Sequence, residues 1–500
     1  MKHTCAALLL LAVAGCTSTT TQPGAVLPPA SRHVEAVLQG DSSNAKVIVE
    51  AGKRGPAVSR DVVGANLETF FDESAPHVWR SFVATGLHLT RWPGGSESDT
   101  YHWQTNSVCA AGGGYAFKQA QYDNFMKTVV RPAKLDVAIT VDYGSNPACN
   151  GGGDPHEAAA WVAESKVHGY PVVAWTVGNE EFGSWEFDLH ATPHDPATYA
   201  SAVNTGYYPL MKAANPSAKV GVIAAGGYSS AWDQYVLAHA KHDFVELHYY
   251  PQAPGNESDA YLLGSGVGDF ATALANLRSE MTAAGDPASK PIMVGEINSV
   301  YSSPGKQSVS IVNGLWTGMV VAEMMKAGVP LATWWAAYPA CSTGNNNSPS
   351  LYGWQNFGSY NLFSDGPPAS QDCDSGMAAG TPYPSGRAYA LLSQFAGNGA
   401  TMLATSNPTA TLRTYADAVA GGYDVMLFNL SETVARTTSI EIAHPRTAHF
   451  RATQYTYGKA QYDLTKNKVF KGSVVTRLGT VDATFSATLP PWSMSVIELR

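Results

Sequence analysis

Between about residue 60 and residue 338, short apolar runs alternate with longer segments of helical period, the pattern of parallel βα units. The predicted strands are Val62 to Glu68, Leu87 to Trp92, Leu135 to Asp142, Val172 to Asn179, Val220 to Ala225, Phe244 to Tyr250, Ile292 to Asn298 and Leu331 to Tyr338. Tyr122 to Lys134, Ala158 to His168, Ala197 to Ala214 and Val309 to Ala327 read as covering helices, several closed by Gly or Pro. Such a repeat predicts an α/β fold, a (β/α)8 TIM barrel. A doubly wound open sheet is the alternative, but no Gly-x-Gly-x-x-Gly fingerprint follows the first strand. In a barrel the strand ends share one face, which gathers Glu68, Arg91, Asp142, Asn179, Glu180, His248, Tyr250 and Glu296 around one mouth.

The flanks read differently. With 500 residues the chain exceeds what one hydrophobic core usually serves, so a smaller companion domain is expected. Past a last helix at Ser385 to Gly397, alternating strands such as Tyr423 to Asn429, Thr437 to Ala443 and Ser493 to Leu499 predict a C-terminal all-β sandwich. The strand-like segment Val34 to Glu50 is expected to join it. At the N-terminus, Lys2 and His3 precede an apolar run too short to span a bilayer, and Leu11 to Cys16 resembles a bacterial lipobox. The expected layout is a lipoprotein signal peptide over 1–16, a Ser/Thr/Pro-rich tether over 17–32, strands over 33–58, the barrel over 59–398 and the sandwich over 399–500. Cys16 would be acylated, making this an exported envelope protein whose one membrane attachment is that lipid. In an oxidising compartment, Cys109, Cys149, Cys341 and Cys373 without C-x-x-C spacing favour two disulfides, with 109–149 and 341–373 preferred because each staples a loop after a strand.

A net charge of −9 without a Lys/Arg run excludes a phosphate-backbone footprint, so nucleic acid is not an expected partner and sugar-like ligands fit better. Trp175 to Glu180 is an apolar strand ending in an amide and a carboxyl, and burial there is expected to raise the acid toward neutral. Glu296 ends Pro291 to Gly295 in the same way. Either glutamate alone reads as an ordinary loop or ion-pair residue. Two carboxyls on different strand ends are what retaining glycoside hydrolysis needs, one to protonate the leaving oxygen and one to attack the anomeric carbon. Asn179 is placed to bind a sugar hydroxyl. His248 and Tyr250 alternate along one strand and so face one side, where Tyr250 can hold Glu296 ionised. Arg91 opens the turn Arg91-Trp92-Pro93-Gly94-Gly95, whose glycines let backbone approach a ligand.

These motifs resemble the clan A glycoside hydrolases, most of all the family 51 α-L-arabinofuranosidases. Gly64 to Glu68 is similar to that family's Gly-x-Phe-x-Glu, Arg91 to Gly95 to its Arg-Tyr-Pro-Gly-Gly, and Tyr101-His102-Trp103 to its Tyr-x-Trp. Gly178-Asn179-Glu180 with Gly183 and Trp185 resembles its acid/base segment, and His248-Tyr249-Tyr250 and Glu296-Ile297-Asn298 its sixth and seventh strand ends. The resemblance implies that Glu180 is the general acid/base, Glu296 the nucleophile, and Glu68 a contact to the non-reducing sugar. Ser96, Gly295 and Ile297 depart from the family pattern. Those departures leave open a neighbouring activity: a β-glucuronidase, with Arg91 serving a uronate carboxylate, a β-xylosidase or an endoglucanase.

The expectation is a retaining exo-glycosidase acting on an oligo- or polysaccharide, with arabinofuranoside the leading substrate and no cofactor. A carbohydrate-binding lipoprotein without turnover is the rival from another class. Asp372 and Asp374 offer a loop-borne calcium reading. Trp103, Trp185, Trp334 and Trp335 are the aromatic candidates for stacking on sugar, Trp185 first. Oligomeric state is not legible.

Overall fold

Each apolar run forms a strand because its residues are buried on both faces, as parallel strands between helices must be. In the computed structural model, which describes residues 46–338, 341–343 (backbone only), 346–366, 376–396, 399–406 and 409–500, the first strand, β1 (Lys46–Ala57), stands apart from the barrel. The barrel strands are β2 (Gly64–Asn66), β3 (Leu89–Trp92), β4 (Asp136–Val141), β5 (Val172–Val177), β6 (Val220–Ala224), β7 (Phe244–Tyr249), β8 (Ile292–Ile297) and β9 (Leu331–Ala332). They form an 8-stranded sheet in sequential order, all neighbours parallel. A bridge between Ala65 and Trp334 closes it, with the Asn66 N–H donating to the Trp334 carbonyl at 2.9 Å. The eight expected strands are all present. The first and last are shorter than expected: Arg60–Val62 is a helical turn capped by Ser59, and beyond Ala332 the chain bends across to close the barrel.

Two expected helices are interrupted. The first runs as α1 (Tyr122–Phe125), a π turn over Met126–Val130, and α2 (Arg131–Ala133). Ala197 to Ala214 likewise breaks at a π turn, Val203–Tyr207, between Pro196–Ala202 and Tyr208–Ala214. Each π turn lies just before a proline, Pro132 or Pro209. Proline has no N–H to donate and its ring presses on the carbonyl four residues back, so the wider turn absorbs it. Helix α3 (Pro155–His168) begins three residues before the expected Ala158, because Asp154 accepts from the His156 N–H and Pro155 suits a first helical turn.

Inside the barrel, residues two apart along each strand stack in layers. Leu89, Ala138, Ala174, Phe244 and Met293 fill the N-terminal end. Gly221 has no side chain because the Phe244 ring occupies that space, 2.3 Å from where a Cβ would sit. Two residues further along β3 and β7 the filling changes from apolar to charged, at Arg91 and Glu246.

After the barrel come β10 (Thr401–Thr405), β11 (Leu412–Val419), β12 (Gly422–Asn429), β13 (Arg436–Ala443), β14 (His449–Gly458), β15 (Val474–Asp482), β16 (Thr484–Leu489) and β17 (Ser493–Leu499). With β1 they make a 9-stranded sheet, in which β1 pairs antiparallel to β10 and parallel to β13. The N-terminal segment thus joins the C-terminal sheet. Val47, Leu412, Val425, Leu427, Ile440, Phe450, Leu489 and Ile497 share one core, so the sheet folds over itself as a sandwich does. Met426, Phe428, Met494 and Val496 point the other way and belong to the barrel's core. Between them lies α4 (Ile311–Ala327), apolar nearly all round and buried along most of its length. Gly314 and Gly318 let it close up: a Cβ at either would lie 2.7 Å from Pro384 or from the Phe428 ring.

Cys109 and Cys149 are bonded. Cys16, the tether, Val34 to Ala45, the Cys341 side chain, Cys373, Asp372 and Asp374 lie outside the described residues. No helix among the described residues is long and apolar enough to cross a membrane.

Candidate active site

Arg91 is the hub of the barrel mouth. Its side chain is 0% exposed, and the strand pairing sets Asn66 of β2 beside it. One terminal nitrogen donates to Asn66 Oδ1 at 3.1 Å and Glu296 Oε1 at 3.0 Å, the other to Asn179 Oδ1 at 2.7 Å, and Nε forms an ion pair with Glu246 Oε1 at 2.8 Å. With Nε and both terminal nitrogens turned onto the site's own groups, no two-pronged fork faces a ligand carboxylate. Arg91 in this arrangement holds the site's own carboxylates.

Glu246 was not among the sequence candidates. It shares one face of β7 with His248, and that face continues to Tyr250 just past the strand, a period-2 signal that could have found it. Gly295 on β8 is its counterpart: a Cβ there would lie 1.8 Å from Glu246 Oε1. The departure at residue 295 thus has a steric cause. Burial alone would raise the Glu246 carboxyl, but the charge of Arg91, the hydrogen bond and charge of His248 and a hydrogen bond from Thr176 bring it down to about 2.

His248 bridges the carboxylates. Nδ1 lies 2.8 Å from Glu180 Oε1 and 3.7 Å from Glu296 Oε2, and Nε2 lies 3.0 Å from Glu246 Oε1. Burial would strip its proton, but Glu296, Glu180 and Glu246 together raise it to about 10, so it stands as an imidazolium at neutral pH. Tyr250 donates to Glu296 Oε2 at 2.6 Å, as expected from its place two residues past His248.

Glu180 follows Gly178 and Asn179 at the end of β5 and adopts a left-handed backbone, φ 46°, that turns its carboxyl into the mouth. Trp185 Nε1 donates to its Oε2 at 2.9 Å. The expected upward shift of this acid is not found. Burial pushes it up, but the hydrogen bond and charge of His248, then Trp185 and Arg91, outweigh that and hold it below the ordinary carboxylate value. Glu296 moves the other way: burial and the charge of Glu180 prevail over His248 and Arg91. One oxygen of Glu180, one of Glu296 and one nitrogen of His248 all lie within 4.8 Å of one another. With both imidazole nitrogens facing carboxylates, this trio is filled by its own hydrogen bonds.

Asn179 donates from Nδ2 to Glu186 Oε1 at 2.9 Å, and Ser96 Oγ adds a second donor at 3.1 Å. Its backbone N–H goes to Asp99. Glu68 is buried against the Gly94-Gly95 turn, within electrostatic reach of Glu97, Glu296 and Arg91, and burial raises it well above its usual value. Trp335 covers that turn so closely that a Cβ on Gly95 would lie 2.3 Å from its ring. Trp103 and Trp334 belong to the core instead, Trp103 stacked on Trp161 with centroids 5.7 Å apart. Asp142 braces its own loop through the N–H and hydroxyl of Ser145. Glu186, Asp99 and Tyr360 were also missed, since they reach the mouth from loops whose course no periodicity reveals.

No family profile and no curated protein matches the chain. Solved structures do. An α-L-arabinofuranosidase of glycoside hydrolase family 51 from Thermotoga petrophila superposes with TM-score 0.67 at 18% identity, covering 91% of this chain and 100% of that one. An α-L-arabinofuranosidase from Thermotoga maritima, in an arabinose complex, gives TM-score 0.67 and 18% identity over 91% and 99%. A family 44 xyloglucanase from Paenibacillus polymyxa gives TM-score 0.63 and 13% identity, again over 91% and 99%. The fold, a TIM barrel with an attached β domain, is the fold of these proteins.

Proposed function

We propose that the chain is a retaining exo-glycosidase acting by double displacement, with an α-L-arabinofuranoside as leading substrate. The observation that carries this reading is the approach of Glu180 and Glu296 to within 4.8 Å at their nearest oxygens. A retaining pair stands about 5 to 5.5 Å apart, whereas an inverting pair needs about 6.5 to 9.5 Å to admit a water. Glu296, oriented by Arg91 and Tyr250, attacks the anomeric carbon while Glu180 protonates the departing oxygen; Glu180 then takes a proton from water, which attacks the same carbon and frees Glu296. At rest the acid's proton resides on His248 Nδ1, 2.8 Å from Glu180 Oε1, and moves across that hydrogen bond. As carbon–Glu296 bonding removes the negative charge of Glu296, His248 loses one of the partners that hold its proton.

The sugar bound at the anomeric position is uncharged. Arg91 and His248 are both engaged by the protein's own groups, and Glu68, Glu97 and Glu186 add only carboxyls. Arabinofuranoside leads on the resemblance of the strand-end motifs and the likeness to the two Thermotoga enzymes. An endo-acting glucanase is the second reading, favoured by the likeness to the xyloglucanase. Export and acylation at Cys16 remain part of this proposal, read from the lipobox.

The test is an aryl-glycoside panel with the purified protein: α-L-arabinofuranoside, β-xyloside, β-glucoside and β-glucuronide. Release from the arabinofuranoside with none from the glucuronide is expected. Glu296→Gln should abolish turnover in a folded protein, and Glu180→Gln should slow poor leaving groups far more than activated ones. Hydrolysis of the glucuronide alone would overturn the assignment of the sugar, and full activity in Glu296→Gln that of the nucleophile.

A further inference from the structure

Beside Glu180 on the acid/base loop, carboxylates converge around Glu181. Glu181 is buried, with 0% of its surface exposed, and neither of its oxygens accepts a hydrogen bond from an N–H or a hydroxyl group. Its carboxyl meets that of Asp99 within hydrogen-bond reach, and the charges of Asp99, Asp188 and Glu186 press on it. An ionised carboxylate left this way costs far more than a lost hydrogen bond, so something must neutralise it. Asp188, its side chain 1% exposed, is already held in place: Oδ1 accepts from the His190 N–H at 2.8 Å and lies 2.7 Å from His190 Nδ1, and Oδ2 accepts from the His194 N–H at 2.9 Å. Oδ1 is thus taken up by His190, and Oδ2 keeps a further lone pair. His194 completes the cluster, with one atom each of Glu181, Asp188 and His194 lying within 4.8 Å of one another. Donors about 2.0 to 2.6 Å from a common ion are separated by no more than about 4 to 5 Å, so this spacing suits ligation.

We propose that Glu181, Asp188 and His194 bind one divalent cation, which ties the acid/base loop to the segment that follows it. The oxygens of Glu181 and the side chain of Asp188 are shielded from bulk water, whereas His194 lies partly at the surface and provides the way in. Two carboxylates and an imidazole accept a hard ion such as Ca2+ or Mn2+ as well as Zn2+, so the chemistry common to them is divalent charge on mixed oxygen and nitrogen donors. Glu181 directly follows Glu180, whose left-handed backbone aims the acid. Fixing one fixes the other. The site is separate from the reaction proposed above and stands whatever the sugar.

The rival arrangement is a single proton shared by Asp99 and Glu181, which needs no metal. The two are separated by elemental analysis of the dialysed full-length protein and by melting curves with EDTA, then with Ca2+, Mn2+ or Zn2+ added singly. About one divalent ion per chain is expected, with Tm falling by a few degrees in EDTA and restored by one of the ions. Glu181→Gln should abolish that response, and His194→Gln should shift it to at least tenfold higher ion concentration; the second variant serves if the first fails to fold. Absence of stoichiometric metal with no response to EDTA or ions overturns the site in favour of the shared proton. A metal response unchanged in His194→Gln also overturns it, because the ion then binds elsewhere.

Discussion

Buried carboxylates in the barrel mouth and in the C-terminal sheet meet opposite fates. Glu246 and Asp417 are both fully shielded from solvent, yet burial leaves one held down to about 2 and drives the other up to about 9. The difference is the company. Glu246 faces Arg91 and His248, whereas Asp417 lies opposite Asp424 on the neighbouring strand, and Arg500 pairs with Asp424, at 2.7 Å. Shielding without a cation ends in a neutral acid; shielding with one preserves charge that can act on a substrate. What sets the mouth apart from the sheet is thus its pair of cations at least as much as its carboxylates.

The most severe way to break this contrast is to remove the hub. Arg91→Met leaves Glu246 and Glu296 buried without their cation, and should cost about 3 to 5 kcal/mol of stability by denaturant titration. A smaller loss would mean that His248 alone sustains both charges. Glu246→Gln is milder, because the amide still accepts from Thr176 and can face Arg91. It should lower the His248 ionisation from about 10, and with it the alkaline limb of whichever activity the panel detects. An unmoved limb would uncouple His248 from that limb.

The smallest effect is expected in the sheet. Asp417 is raised from 3.8 to about 9, so it carries a proton in the folded protein over a range in which the unfolded chain has lost it. Its contribution is therefore complete below pH 3.8 and is lost as pH rises toward about 9. Asp417→Asn imitates the protonated form and has no proton to lose on unfolding: stability at pH 7 should rise, by less than Arg91→Met costs, and the decline of Tm from pH 6 to 9 should become shallower. An unaltered slope would mean that Asp417 is already ionised.

This contrast also marks how far the sequence can be read. Strand ends were legible because burial on both faces leaves a run such as Trp175 to Val177 with nothing polar until it reaches the mouth, and Glu180, Glu296, His248 and Tyr250 duly meet there. Glu246 escaped notice since it lies inside an apolar run, flanked by Val245 and Leu247, where a lone acid reads as an interruption. The downward shift of Glu180 was not legible either. Burial can be inferred from neighbours in sequence, but the imidazolium that reverses its effect comes from a strand 68 residues away. The loop-borne Asp99, Glu181 and Glu186 lack any period that would bring them together in advance.

The glycine seam of α4 bears on how such a molecule can be taken apart. With Gly314 against Pro384 and Gly318 against the Phe428 ring, no layer of solvent or linker separates barrel from sheet, and β1 is sewn into that sheet before the barrel has begun. The C-terminal strands are then not a detachable sugar-binding appendage of the kind that can be shuffled between enzymes. They are the outer wall of the barrel on that side, and a chain truncated after α4 would expose an apolar helix face with no other element to cover it. Barrel and sheet must be inherited, expressed and lost together.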